Sequence, residues 1–236
     1  MKKVFFLALL FQSSFFLSQD LPDYLPTEGL LSWFPFNGTT EDKSERGYHA
    51  TQTGASLTEN RFKKQNSALS LSGIGSYISL EVYTEELMLS NNFTLSFWMN
   101  MQLSSNQNVC IFTKGDALTN EFSLSWTANQ QLHFPGGESS LSPFVNYTYY
   151  GHWTHVICQV ENGNAILYLD GREVSSFPMG RFILSSNFPF VFGAMFEPGT
   201  NTPILNSCFR GEIDDIGIWK RVLSKKEIKA LYKAKE

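Results

Sequence analysis

Residues 93–101 read Phe-Thr-Leu-Ser-Phe-Trp-Met-Asn-Met. Phe93, Leu95, Phe97, Met99 and Met101 take every second position, with Thr94, Ser96 and Asn100 between them. A period of two sends successive side chains to opposite faces of an extended strand. The stretch is therefore expected to be a half-buried β-strand, with Trp98 the one apolar residue on the polar face. Similar short apolar stretches recur at 29–36, 48–51, 68–71, 77–80, 109–112, 122–126, 131–134, 153–160, 165–169 and 187–192. Asn162-Gly163 lies between 153–160 and 165–169, Asp170-Gly171 joins 165–169 to Arg172-Glu173-Val174, and Asn-Gly and Asp-Gly supply the left-handed backbone of tight hairpins. Residues 135–150, with Gly136-Gly137 and Pro143, and residues 197–207 read as loops. The outcome is about a dozen short strands, which calls for two antiparallel sheets packed face to face. Strand count alone leaves sandwich and barrel open.

The C-terminal segment adds detail. Phe209 and Ile213 share one strand parity, Ile216 and Ile218 the other. The change falls at Asp214-Asp215, where an extra residue, a β-bulge, is expected. Ser224 and Glu227 have the spacing of a capping box, and Leu223 and Ile228 that of a hydrophobic staple. Ile228, Leu231 and Tyr232 then give a short helix one apolar face.

Lys2 and Lys3 precede a mainly apolar run over residues 4–17. Residues 1–19 are expected to be a cleaved export signal, too short and wrongly flanked for a membrane span. No later apolar run is long enough to cross a bilayer. Residues 20–28 form a Pro-containing lead-in, and 29–236 are expected to form one domain. The whole chain carries 18 Lys and Arg against 22 Asp and Glu; removing the leader takes two lysines and leaves a net charge of −6. A mildly acidic exported chain is not a nucleic-acid binder by electrostatics. Export would place the product outside the cytoplasm, as a secreted, periplasmic or cell-surface protein. Three cysteines, Cys110, Cys158 and Cys208, allow one disulfide and one free thiol. Cys110 and Cys158 sit in expected strands, where buried thiols are the plain reading, and Cys208 could pair with either.

Four passages carry a family resemblance: Trp33 to Ala50 with its Phe-Asn-Gly and acidic loop, Ala68 to Leu80 around Gly73-Ile-Gly75, the run from Trp153 through Leu167-Tyr-Leu-Asp-Gly171, and Gly211-Glu-Ile-Asp-Asp-Ile-Gly-Ile-Trp-Lys-Arg-Val-Leu-Ser224. Together they resemble the LamG-like, concanavalin A-like jelly-roll domains of secreted proteins, over roughly residues 30–232. The resemblance selects an all-β, two-sheet antiparallel jelly-roll sandwich with a short C-terminal helix. It also implies a structural calcium tying the first loop to the last strand, with Asp42 and Asp215 as the matching positions. Calcium takes six to eight oxygen ligands, and Asn37, Gly47 and Asp214 are the further candidates.

Glycoside hydrolases of this fold place a nucleophile and an acid on one strand as Glu-x-Asp-x-x-Glu. The nearest match, Glu212-Ile-Asp214-Asp-Ile-Gly217, lacks the second glutamate. His152 and His155 are three apart and face opposite sides of a strand, so they make no ligand pair; His155 is expected to be structural. Trp126, His133, Tyr147, Tyr149 and Tyr150 are the candidate sugar-stacking residues, with core filling as the plain alternative. Asn37, Asn92 and Asn146 open Asn-x-Thr sequons by pattern only, and the leader has a bacterial character in which they carry no meaning. The expected function is a non-catalytic binding or adhesion module for a glycan or an extracellular protein. The alternatives are a polysaccharide-acting enzyme with an unrecognised site and a protein-interaction subunit.

Overall fold

The computed structural model describes residues 21–44, 46–82, 92–103, 108–118, 121–134, 144–179 and 188–235. The expected leader, Gly136, Gly137, Pro143 and Asn187 lie outside the described residues. The first strands are β1 (Leu30–Phe34), β2 (Ala50–Thr53), β3 (Ser56–Thr58), β4 (Ala68–Ser72) and β5 (Tyr77–Leu80). The middle of the chain supplies β6 (Asn92–Met101), β7 (Val109–Lys114), β8 (Phe122–Thr127), β9 (Gln131–His133) and β10 (Phe144–Asn146). Then come β11 (Trp153–Glu161), β12 (Asn164–Leu169), β13 (Arg172–Pro178), β14 (Phe190–Phe192), β15 (Arg210–Trp219) and the helix α1 (Lys225–Lys233). Two short strands escaped the sequence pattern. β3 has no apolar alternation to mark it, and β10 lies inside what reads as a loop.

The strands form two antiparallel sheets, as a jelly-roll sandwich requires. The larger runs β13-β12-β11-β6-β15-β4-β3, with β1 also paired to β15; the smaller runs β10-β9-β8-β7-β14-β5-β2. Asn162-Gly163 and Asp170-Gly171 close the two expected hairpins, all four residues having positive φ, and Glu161 pairs with Asn164 and Leu169 with Arg172 across them. That geometry is the two-residue turn whose twist suits antiparallel strands.

Phe93, Leu95, Phe97, Met99 and Met101 point into the core between the sheets, with Ile213, Ile216 and Ile218 of β15. Each buried aromatic or aliphatic side chain of this size contributes roughly 1.5–3 kcal/mol by leaving water. β6 is not half-buried, however. Thr94, Ser96 and Trp98, on its other face, are also buried. The reason is a third layer. Leu25 of the lead-in and Leu223, Ile228 and Leu231 at α1 pack with Trp33, Ile157 and Trp219 on the outer face of the larger sheet. Thr94 survives burial there because it is fully paired. The Thr94 hydroxyl donates to Arg221 O at 2.8 Å and accepts from Leu223 N and Gln159 Nε2. The lead-in is locked as well: Trp219 Nε1 donates to Pro26 O at 2.6 Å.

The expected capping box is present: Ser224 Oγ accepts from Glu227 N, and Glu227 Oε2 accepts from Ser224 N at 2.7 Å. Among the described residues no helix is long and apolar enough to cross a membrane.

Candidate functional site

The expected bulge shapes one candidate region. One side of β15 pairs with β6. The other pairs first with β4, through Arg210 to Ile213, and then with β1, through Ile216 to Trp219. Asp214 and Asp215 fall at the change-over. Asp214 faces Trp98 and Gly217 faces Ser96, so β15 carries one residue more than β6, and Asp215 takes φ 50°. The aspartates meet Arg61, from the β3–β4 loop: Arg61 Nη1 lies 3.0 Å from Asp214 Oδ2 and 2.7 Å from Asp215 Oδ2. The guanidinium carbon lies over the rings of Trp98 and Phe62, 4.5 and 4.3 Å from their centres. Cation–π contacts of this kind suit the delocalised charge of arginine.

Three of the five calcium candidates, Asn37, Asp214 and Asp215, lie at or beside this point. Asn37 and Asp215 line one cavity. Their donors do not fit the ion. Asp42 accepts four hydrogen bonds, from Trp33 N (2.9 Å), Ser44 N (2.9 Å), Ser44 Oγ (2.8 Å) and Tyr48 N (3.2 Å). Four is about the acceptor capacity of a carboxylate, so Asp42 staples its own loop. Asp214 and Asp215 already face a guanidinium, and exposed Gly47 supplies a positive-φ turn. Among the described residues no three His, Cys, Asp or Glu side chains are grouped to hold a metal ion.

Beside the bulge, His155 Nε2 and Ser96 Oγ are 2.9 Å apart. Both are buried, and His155 Nδ1 has no hydrogen-bond partner. His155 packs against both Trp98 and Tyr232, 5.0 and 6.3 Å between centres, and those two rings also meet each other at 6.0 Å. Burial first, and then Arg61, push its pKa down to about 3. A nucleophile pair needs access and an orienting group on the far nitrogen; this pair has neither and is structural.

Four of the candidate stacking residues, Trp126, Tyr147, Tyr149 and Tyr150, form one aromatic cluster, of which two members are buried. Trp126 and Tyr147 are core residues, 2% and 0% exposed; strand alternation could not say which face of β8 looks inward. Burial pushes the Tyr147 pKa up to about 12, and its hydroxyl lies 3.0 Å from Thr154 Oγ1. Tyr150 packs edge-on against Trp126, and His133 lies flat on exposed Phe144, 4.5 Å between centres. Tyr149 is exposed.

The cysteines are all buried free thiols. Cys110 and Cys208 are partners in an isolated β-bridge, whereas Cys158 faces the core from the larger sheet.

A second cavity lies on the outer face of the smaller sheet, where the sequence carries no signal beyond alternation. Ile78 and Leu80 of β5 enter the core, so Tyr77 and Ser79 face outward. With Thr51 of β2 and exposed Glu81 they form the floor of a cavity of about 410 Å³. Phe188, Phe196 and Asn201 rise over it. The Phe196 ring meets Tyr77 edge-on at 5.2 Å. The loop bearing Phe196 and Asn201 is fixed from below: Asp116 Oδ2 accepts from Gly199 N at 2.8 Å, and Phe196 O accepts from Ala117 N.

Residues 72–229, 158 of the 236, match the family described as the concanavalin A-like lectin/glucanases superfamily. The chain belongs to this superfamily. Among solved structures, the concanavalin A-like sandwich superposes on a mutant of Trypanosoma rangeli sialidase displaying trans-sialidase activity (TM-score 0.66, 18% identity), over 88% of this chain and 33% of that one. It superposes on the binding domain of Paraclostridial Mosquitocidal Protein 1 (TM-score 0.69, 18% identity) over 87% and 52%. The botulinum neurotoxin serotype D binding domain gives TM-score 0.69 and 17% identity, over 87% and 52%. The chain thus spans a third to a half of these proteins, and the likeness is one of fold. No curated protein matches the chain.

Proposed function

We propose that this chain is an exported carbohydrate-binding module whose ligand lies in the groove over Tyr77 and Ser79. The observation that carries the reading is the pairing, in one cavity, of aromatic walls with hydroxyl, amide and carboxylate groups. The C–H face of a pyranose packs on rings such as Tyr77 and Phe188, while its hydroxyls need donors and acceptors such as Ser79, Thr51, Asn201 and Glu81. Membership of a lectin-containing superfamily supports it, as do fold neighbours that are named binding domains. Hydrolysis would ask for two carboxyl groups flanking the glycosidic bond. Among the described lining residues Glu81 alone carries one, so retention of an intact glycan is the chemistry the groove suits.

The test is a glycan-binding screen on the mature protein beside Tyr77→Ala and Asn201→Ala. Losing an aromatic platform weakens a sugar site by about tenfold. Glycans that bind wild type and fail on both variants support the groove. Uniformly negative wells, or binding indifferent to both substitutions, overturn it.

A further inference from the structure

Cys110 lies in β7, and Cys208 lies just before β15, at the foot of the segment 193–208 that carries Phe196 and Asn201 to the groove. The two residues are partners in an isolated parallel bridge. We propose that they are a disulfide site: in an oxidising compartment Cys110 and Cys208 join and clasp the segment 193–208 onto the smaller sheet, while Cys158 stays a free thiol. Residues paired on neighbouring strands stand about 5 Å apart at Cα, inside the roughly 4.4–6.8 Å that a disulfide spans. Both side chains also leave by the same face. Val109 and Ile111 point into the core, so Cys110 between them faces outward. Cys208 packs with Val191, Ala194 and Phe196 on that outer face. Cys158 belongs to the other side. It points into the core from β11, paired with Leu95 and Leu167, so the smaller sheet stands between it and the other two thiols.

The clasp falls at the base of the segment, where the backbone already closes. Gly193 N donates to Ile111 O at 2.9 Å, and Phe209 N donates to Gly193 O at 2.8 Å. Each thiol donates to a carbonyl of the same segment: Cys110 Sγ lies 3.5 Å from Ala194 O, and Cys208 Sγ lies 3.6 Å from Ile204 O. Thiols are weak donors, so little is lost when both protons leave. Oxidation takes one proton and one electron from each thiol and forms the Sγ–Sγ bond. A low-molecular-weight disulfide, such as oxidised glutathione, takes up both protons and both electrons and leaves as two thiols. The Cys208 thiolate attacks it and releases the first thiol; the Cys110 thiolate then attacks Cys208 Sγ and displaces the second. Burial, and then the neighbouring Cys208, push the Cys110 thiol up; burial pushes Cys208 up as well, against the opposing Gly75 N–H. The thiolate is the reactive form. Exchange therefore belongs to folding, before the segment docks, and the finished bond is shielded from reductant.

The experiment refolds the mature protein from denaturant in a mixture of oxidised and reduced glutathione. The monomeric product is alkylated in denaturant and its peptides are mapped by mass spectrometry without reduction. Expected is a Cys110–Cys208 cross-link with Cys158 alkylated. Three alkylated cysteines, or a cross-link through Cys158, would overturn the proposal. The same protein refolded and kept in dithiothreitol measures the clasp. It should melt on the order of 10 °C lower, and its amides over 194–207 should exchange roughly tenfold faster. Equal melting and equal exchange in the two redox states would overturn the clasp. Cys208→Ser should melt like the reduced protein under both conditions, and a redox-dependent melting temperature that persisted in it would place the bond elsewhere and overturn the assignment. Glycan binding is measured apart from thiol pairing, so a negative sugar screen leaves the clasp standing, and an absent cross-link leaves the groove standing.

Discussion

Asp214 and Arg61, 153 residues apart in the chain, are joined by a 3.0 Å hydrogen bond at the bulge of β15. Asp214 is 1% exposed, and its Oδ1 also accepts a local bond from Asp215 N at 2.8 Å. A buried carboxylate that loses its cation costs about 3–5 kcal/mol. Arg61→Met is therefore expected to destabilise the fold by that amount in urea titration, and Asp214→Asn added to it to restore a large share. A loss under about 1 kcal/mol would show that the pair does little, as exposed pairs do. Since Asp214 and Asp215 already pair with the Arg61 guanidinium, added calcium is expected to leave the melting temperature unchanged. A rise abolished by Asp215→Ala would show a metal-held clasp instead.

Gly211 opens the closing strand with φ 147°. A Cβ there would overlap the Asn100 carbonyl oxygen of β6, a backbone atom that cannot turn aside. Gly211→Ala should cost about 2 kcal/mol or more, through strain and the disturbed β6–β15 ladder. Thermal melting at matched protein concentration measures it. A change within experimental error would mean that the two strands part easily at this end.

These two cases also show where sequence reading succeeds and where it stops. The bulge was legible because Ile213 and Ile216 must both reach the core, and only an extra residue allows it. The capping box was legible because its two members are three residues apart. Arg61 was not: it sits in a loop without periodicity, and nothing near it in sequence says that it answers two aspartates in the last strand. Likewise Phe97 and Trp98 fixed the strand, but not the helix and lead-in that bury its second face. Trp126 and Tyr147 looked like sugar platforms because an aromatic strand residue reads alike on either face. Tyr77 and Ser79 could have been placed outward from Ile78 and Leu80, yet the loop that turns that face into a groove arrives more than a hundred residues later.

Glu227 closes the capping box and also meets the Arg221 guanidinium, with 3.1 Å between Oε2 and Nη1. Arg221, and then Ser224, hold its pKa down to about 2 from an ordinary 4.5. The folded value is the lower one, so this stabilisation is whole above pH 4.5 and is lost as pH falls toward 2. Both partners are partly exposed, and solvent screening keeps the gain small. Glu227→Gln is expected to cost about 1 kcal/mol at neutral pH and nothing near pH 2. Hydrogen exchange of the α1 amides resolves the effect, and equal loss at both pH values would mean that shape rather than charge fixes the helix start.

His155 sets a second acid limit at higher pH. It is enclosed by Ser96, Trp98 and Tyr232, with Arg61 the nearby charge. A proton there meets both burial and a guanidinium, so the folded pKa is about 3 against an ordinary 6.5. Unfolded chains take up the proton first, so stability is complete above pH 6.5 and declines as pH falls toward 3. Between pH 7 and about pH 5 the expected loss is on the order of 2 kcal/mol. This window lies above that of Glu227, so the two can be separated. His155→Gln keeps a hydrogen-bonding group near Ser96 and cannot take a proton in this range. Its unfolding free energy should lie below wild type at pH 7 and hold nearly level down to pH 5. A variant whose stability still fell in parallel with wild type would place the acid sensitivity on another group and return His155 to a purely packing role.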